Sequence, residues 1–210
     1  MGPVLIAGCA TAGPTQLPAV KDQSSASTPG FLDGKAGRVR SRELDFPIEF
    51  VLPDKPGWRI VEGPSWLLAE HGSTSSELAL RTWRADRLVR RGECEAQARL
   101  GRATIPIVHD EAVVDRRAFA VPADFDNELV VGVEPSARGL SGYALVIGAS
   151  VGRCYAAVFT TSVSGKQAEP DLAARLGLVV DRILSHVRVL RVDERAPRRH
   201  LVVSPKPGPD

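Results

Sequence analysis

His109, Asp110 and Glu111 form the place in this chain where an imidazole and two carboxylates crowd together, residue types that suit a hard metal ion or a general base. Adjacent residues on an extended chain point to opposite faces, however, and no Cys or second His stands at a helical metal-ligand spacing from them. A solvated turn before the next strand is the better reading. His71 lies between Glu70 and Gly72 at a strand end and reads as a surface turn, while His186 falls near the end of the last helix, where its cationic form suits the helix dipole. Ser141, in Gly139-Leu140-Ser141-Gly142, lacks the Gly-x-Ser-x-Gly spacing and the strand-to-helix turn that present a nucleophile, and reads as a hairpin lead-in. The run from Gly148 to Gly152 has neither a Lys-Ser/Thr pair nor a helix start to cradle phosphate, so it reads as a turn. These patterns predict no catalytic residue, no metal site and no cofactor.

Tryptophans offer contact rather than reaction. Trp58, Trp66 and Trp83 all fall in strands of the first half of the domain. Trp83 shares a strand face with Glu77, Ala79 and Arg81, opposite Leu78 and Leu80, which places Trp83 and Arg81 on the outer side of the sheet as a partner-contact surface. The competing account has long Arg stems such as that of Arg81 covering the ring.

At the amino-terminal end, Ile6, Ala7, Gly8 and Cys9 stand behind a short apolar start and ahead of a long stretch rich in Thr, Pro and Ser. This run resembles the lipobox of exported bacterial lipoproteins, where small residues admit a signal peptidase and the thiol takes a diacylglycerol. The resemblance covers residues 1–9 and implies that Cys9 is acylated, opens the mature chain and holds it to the bilayer. Residues 1–8 contain no Lys or Arg and are short for an apolar core of roughly 7–15 residues, so 1–9 is read as a truncated signal peptide. Ala10, in place of Asp after the cysteine, resembles lipoproteins sent on to the outer membrane, which implies anchorage on its periplasmic face. In an exported domain the two remaining cysteines, Cys94 and Cys154, are expected to form one disulfide, with two separately buried thiols as the alternative. Bridging them would close a loop of about 60 residues and stabilise by roughly 4 kcal/mol.

The elements that must position these residues follow from length and periodicity. The chain has 210 residues, 43% of them hydrophobic and 25% charged, which suits one globular domain with tails. A formal charge of +2 with scattered basic residues gives no nucleic-acid footprint, and no apolar run nears the roughly 18 residues that span a bilayer. Residues 10–43 show neither a period of 2 nor one of 3.6 and read as a disordered tether, about 33 residues reaching roughly 30 Å. Residues 193–210 read as a disordered tail, and 44–192 as the domain. Phe46, Ile48, Phe50 and Leu52 alternate onto one strand face. Residues 58–61, 65–70 and 77–85 continue as an antiparallel meander, with Leu78, Leu80 and Thr82 facing one way. A helix follows over 92–102. Framed one way, Cys94, Ala98 and Gly101 make a small-residue stripe that sits close to a sheet; framed the other, Val89, Ala96 and Leu100 face it and Cys94 turns away. Strands at 112–121, 127–133, 143–150 and 153–161 come next, the last two turning at Gly152. A final helix opening at Pro170 carries Leu172, Leu176, Val179, Val180, Ile183, Leu184 and Val187 on one stripe. The expected fold is α+β, a curved antiparallel sheet with both helices packed on it in a single domain.

That order of elements, the opening strand ending in Pro53 and leading to Gly57-Trp58, and the last helix running into Leu184-Ser185-His186-Val187-Arg188 resemble PsbP-like α/β/α domains, including bacterial lipoproteins that carry them. The likeness covers about residues 44–190. It implies the fold and an accessory or docking role, and it supplies no active-site residues. The reading that follows is a non-catalytic, lipid-anchored envelope protein whose domain docks another envelope protein. The alternative is a small-ligand carrier with a pocket between the sheet and the last helix.

Overall fold

Strand after strand in this chain alternates large apolar side chains with small or polar ones, and the structure divides them between two cores. The computed structural model describes residues 34–102 and 104–190. Cys9, the rest of the stretch to residue 33 and the tail 193–210 lie outside the described residues. Among the described residues ten strands form two antiparallel sheets. The smaller holds β1 (Gly37–Arg40), β2 (Ile48–Leu52) and β10 (Arg188–Val189) in the order β1-β2-β10. The larger holds β3 (Trp58–Glu62), β4 (Leu67–His71), β5 (Ser76–Arg84), β6 (Val113–Phe119), β7 (Asp126–Ser136), β8 (Gly139–Ser150) and β9 (Arg153–Val163), ordered β3-β4-β5-β9-β8-β7-β6. Two helices, α1 (Arg91–Gly101) and α2 (Ala168–Leu178), complete a single α+β domain.

The side-chain period of 2 decides which helix each strand residue meets. On one face Leu78 and Leu80 of β5, Ala144 and Val146 of β8, and Tyr155, Ala157 and Phe159 of β9 pack with α2 and with Ile48, Phe50 and Leu52 of the small sheet. On the other face Ala79, Leu145, Ile147, Cys154, Ala156 and Val158 pack with Cys94 and Ala98 of α1. Central strands β8 and β9 are therefore buried on both sides and read as almost continuous apolar runs. Fully burying each large aliphatic side chain there contributes about 1.5–3 kcal/mol. Gly142 is small because α2 lies directly on it: a Cβ at that position would meet Leu172 Cδ1 at 2.7 Å.

Of the two framings of α1, the first holds: Cys94 and Ala98 are fully buried, whereas Leu100 is 90% exposed. Glu93 Oε2 accepts the Arg90 N–H at 2.9 Å and so closes the helix start. The last helix begins at Ala168, two residues before Pro170, in a first turn whose N–H groups have no intrahelical partner. Beyond α2 the chain keeps turning as a π segment (Val179–Ile183) and a short 3-10 turn (Leu184–His186), and Leu172, Leu176, Val179, Val180, Ile183, Leu184 and Val187 are all buried. Gly152 makes the β8–β9 turn at φ +64°.

One boundary differs from the sequence reading. Residues 37–40, assigned to the tether 10–43, form β1, which pairs with β2 from Gly37↔Leu52 to Arg40↔Glu49. Val39 alone faces the core, and a single buried apolar side chain between two arginines is too weak a period to announce a strand.

Candidate docking groove

Three places in the structure have the shape or chemistry of a site: the tryptophan face beneath α1, a buried polar network around His71, and an open groove between the two sheets.

The tryptophan face is closed. Trp83 is only 6% exposed, and its Nε1–H donates to Gln97 Oε1 of α1 at 2.7 Å. The Arg81 guanidinium lies across it, 4.6 Å from the ring centroid and 5.7 Å from that of Trp66, and Arg102 stands 5.7 Å over Trp66 on the other flank. The expected exposed contact surface of Trp83 and Arg81 is thus corrected. That strand face is the outer face of β5, but α1 packs on it, and Arg81 serves as a lid over the indole. Burial lowers the Arg81 pKa from its ordinary value, while Asp45 acts in the opposite sense.

The surface turn expected at His71 is also corrected, since that residue is 1% exposed. Its Nε2 faces Asp54 Oδ2 at 3.2 Å, its Nδ1 pairs with Thr74 Oγ1 at 2.8 Å, and its ring tilts against Trp58 with centroids 5.1 Å apart. Asp54 sits in the left-handed region at φ +46°. Gly57 is bare because a Cβ there would lie 2.5 Å from His71 Nε2. The network continues inward. Ser76 Oγ meets Thr161 Oγ1 at 2.8 Å, and Arg175 of α2 donates Nη1 to the Thr74 carbonyl at 2.7 Å, to Thr161 Oγ1 and to the Ser162 carbonyl at 3.2 Å each. Desolvation lowers the Arg175 pKa, partly offset by Asp171. Asp54, His71 and Thr74 are the residue types of a nucleophile relay, yet Thr74 is buried at 4% exposure. The arrangement ties the β4–β5 turn to β9 and α2. No sequence signal found it, because its members lie far apart in the chain and meet only through the sheet.

The remaining candidates are accounted for locally. His109, Asp110 and Glu111 are exposed at a short 3-10 turn (Asp110–Ala112). Ser141 Oγ pairs across strands with Ser162 Oγ at 3.1 Å, and His186 Nδ1 pairs with Ser185 Oγ at 2.9 Å on the surface. Among the described residues no group of three or more His, Cys, Asp or Glu could hold a metal ion. Cys94 and Cys154 stand at disulfide distance, Sγ to Sγ 2.08 Å with Cα atoms 5.6 Å apart, joining α1 to β9. Among the described residues no helix is long and apolar enough to cross a membrane.

The groove is open and charged. Among the described residues β1 and β3 are edge strands of different sheets, and the loop 41–47 bends over the space beside them. Ser41 N–H donates to the Ile48 carbonyl at 2.9 Å, which turns the main chains of 37, 39 and 41 toward β2 and that of Arg38 outward. Gly63 N–H donates to the Trp66 carbonyl at 3.0 Å, and the same alternation turns Ile60 and Glu62 outward from β3. The space measures about 1360 Å³, and Arg38, Arg40, Arg42, Lys55 and Arg84 line it with Glu43, Asp45 and Glu62. Two of those acids hold the walls: Glu62 Oε1 accepts the amides of Arg42 and Glu43, and Asp45 Oδ2 accepts the Arg84 amide at 3.0 Å. Positive charge is in excess. Two smaller grooves, about 520 and 240 Å³, flank the start of α1, and none of the three is lined by α2, whose stripe is filled by its own packing against the sheet.

No family model matches this chain, and no curated protein matches it either. Among solved structures it is similar to a protein from Bacteroides thetaiotaomicron VPI-5482 whose crystal structure extends to 1.50 Å resolution. The TM-score is 0.45 with 11% identity over 79% of this chain and 52% of that one, so the chain spans about half the length of the protein it matches.

Proposed function

We propose that this chain is a lipid-anchored protein of the cell envelope, held through acylated Cys9 at the periplasmic face of the outer membrane, and that its α+β domain docks another envelope protein without catalysing a reaction. The observation that carries the docking half is the groove of about 1360 Å³ beside β1 and β3, which are edge strands among the described residues. A concavity of that size, open and lined by charged side chains, suits a polypeptide surface better than an enclosed small molecule. The export half is supported by the lipobox resemblance and by a cysteine pair at disulfide distance, which an oxidising compartment would keep joined. The likeness to PsbP-like accessory domains points the same way.

The anchor is tested by the mass of the amino-terminal peptide from host membranes. The expected species begins at Cys9 and carries diacylglycerol on sulfur; an unmodified Cys9 behind an intact Met1 removes the envelope reading and, with it, the oxidising compartment.

A further inference from the structure

We propose that the groove of about 520 Å³ at the start of α1 is a docking site for the chain's own carboxy-terminal segment, with Leu201, Val202 and Val203 seated on Leu88 and Val151. Among the described residues Leu88 is 75% and Val151 80% exposed. Scattered exposed aliphatic side chains are ordinary, but these two line one concavity, with half-buried Val89 beside them. The charges around it are largely matched. Arg91 stands 3.3 Å from Asp126 and 3.6 Å from Glu128, Arg87 stands 2.7 Å from Glu93, and the exposed Arg90 and Asp86 cancel in formal charge. What the groove offers an occupant is therefore apolar surface.

The place where the chain leaves the domain selects the occupant. Leu190, the last described residue, donates its N–H to the Pro47 carbonyl. Phe46, the neighbour of Pro47, lies under the guanidinium groups of Arg84 and Arg153, 5.2 and 5.7 Å from its ring centroid. Arg84 and Arg153 pair across β5 and β9, and the Ala85 N–H donates to the Gly152 carbonyl at 2.9 Å, next to Val151. Direct contacts thus join the exit point to the groove at one end of the sheets. Residues 191–210 follow, and Leu201-Val202-Val203 is their one run of three aliphatic side chains, with Pro205, Pro207 and Pro209 just beyond it. About 11 residues at roughly 3.3 Å each carry the chain from Leu190 to Leu201, a reach of about 36 Å, and the contacts just named join Pro47 to Val151 over a shorter path. Arg195, Arg198 and Arg199 fall in the connecting stretch, outside the apolar contact. A linker of that length holds the segment at the groove at an effective concentration on the order of millimolar. Weak apolar contact then suffices for docking, and any other protein must displace the segment before it can use this groove.

The test uses the full chain carrying Cys9→Ser, which keeps it free of lipid and detergent and makes the result independent of the anchor. A benzophenone amino acid replaces Val202, and its adducts after irradiation of dilute protein are mapped by mass spectrometry. The expected product is an intramolecular link from position 202 to residues 86–91 or 149–152. Leu88→Ser with Val151→Ser, both at the surface, should lower its yield about threefold or more, with thermal unfolding as the check on folding. Without the benzophenone, the amides of residues 86–91 should exchange with solvent about threefold faster when L201S, V202S and V203S are introduced together than in the parent chain. Links scattered over the surface, no link, a yield indifferent to the Leu88 and Val151 substitutions, or equal exchange in the two proteins would each overturn the assignment. So would links between two chains whose yield rises with protein concentration, which identify a second copy as the occupant.

Discussion

His71 is buried and bonds through both ring nitrogens, so His71→Ala removes its bonds to Asp54 and Thr74 and the packing of its ring on Trp58, while Thr74 Oγ1 keeps Ser76 Oγ at 2.9 Å. Losing those hydrogen bonds costs about 1–3 kcal/mol, and urea unfolding of the variant should show a lower midpoint with an unchanged slope. The loss should appear in stability and not in cross-linking from the groove, which is lined by other residues. Tyr155 gives a pH dependence. It is fully buried, and burial pushes its phenol well above the ordinary value of 10.0. Above that pH the unfolded chain gives up the proton while the folded chain keeps it, so the unfolded state binds fewer protons. Stability is accordingly complete below about pH 10 and falls as pH rises, approaching about 1.4 kcal/mol per unit. Tyr143, raised by desolvation and by Glu134, acts in the same direction. In Tyr155→Phe the alkaline fall should be shallower than in the parent, measured by thermal unfolding from pH 8 to 11. An equal fall in both proteins would remove Tyr155 as its source.

Among the elements, α1 depends most on a covalent link, since it buries Cys94 and Ala98 but leaves Leu100 in water. The Cys94–Cys154 pair has a sequence separation of 60, and losing a link across such a loop costs about 4 kcal/mol in the chain-entropy model. Reduction, or Cys94→Ser with Cys154→Ser, should lower the unfolding free energy by that order and make α1 amides exchange faster with solvent. α2 depends instead on close approach: Gly142→Val would drive a side chain into Leu172 and should cost about 1–3 kcal/mol through overpacking. Strong periods were the legible part of the fold. The alternation of Ile48, Phe50 and Leu52, the Leu78, Leu80 and Thr82 face, and the stripe from Leu172 to Val187 each place residues on the side predicted for them, whereas Phe46, read onto the same face, lies before β2 with Arg84 and Arg153 over its ring. β1 was hidden because Val39 is its one core residue, and the burial of Trp83 was hidden because periodicity identifies a strand face but not the element that covers it. His71 and the groove were illegible for a common reason. Both are made by residues distant in sequence that only the pairing of sheets brings together, with Gly57 the sole local hint of crowding.

Seen whole, the domain places its two ends on the small sheet: Lys35 bonds to Lys55 at the far end of β1, while Leu190 N–H donates to the Pro47 carbonyl beside the groove at 2.8 Å. The groove near Leu88 and Val151, by contrast, offers exposed apolar side chains. The proposed docking is therefore tested first on the β1–β3 side. The most direct measurement is site-specific photo-cross-linking in membranes of the native host, with the reactive side chain placed in turn at positions 42, 88 and 100 of the full chain. A docking groove predicts one discrete adduct from position 42 and none of comparable yield from 88 or 100. No adduct from position 42, or equal adducts from all three positions, would contradict a docking function for the groove.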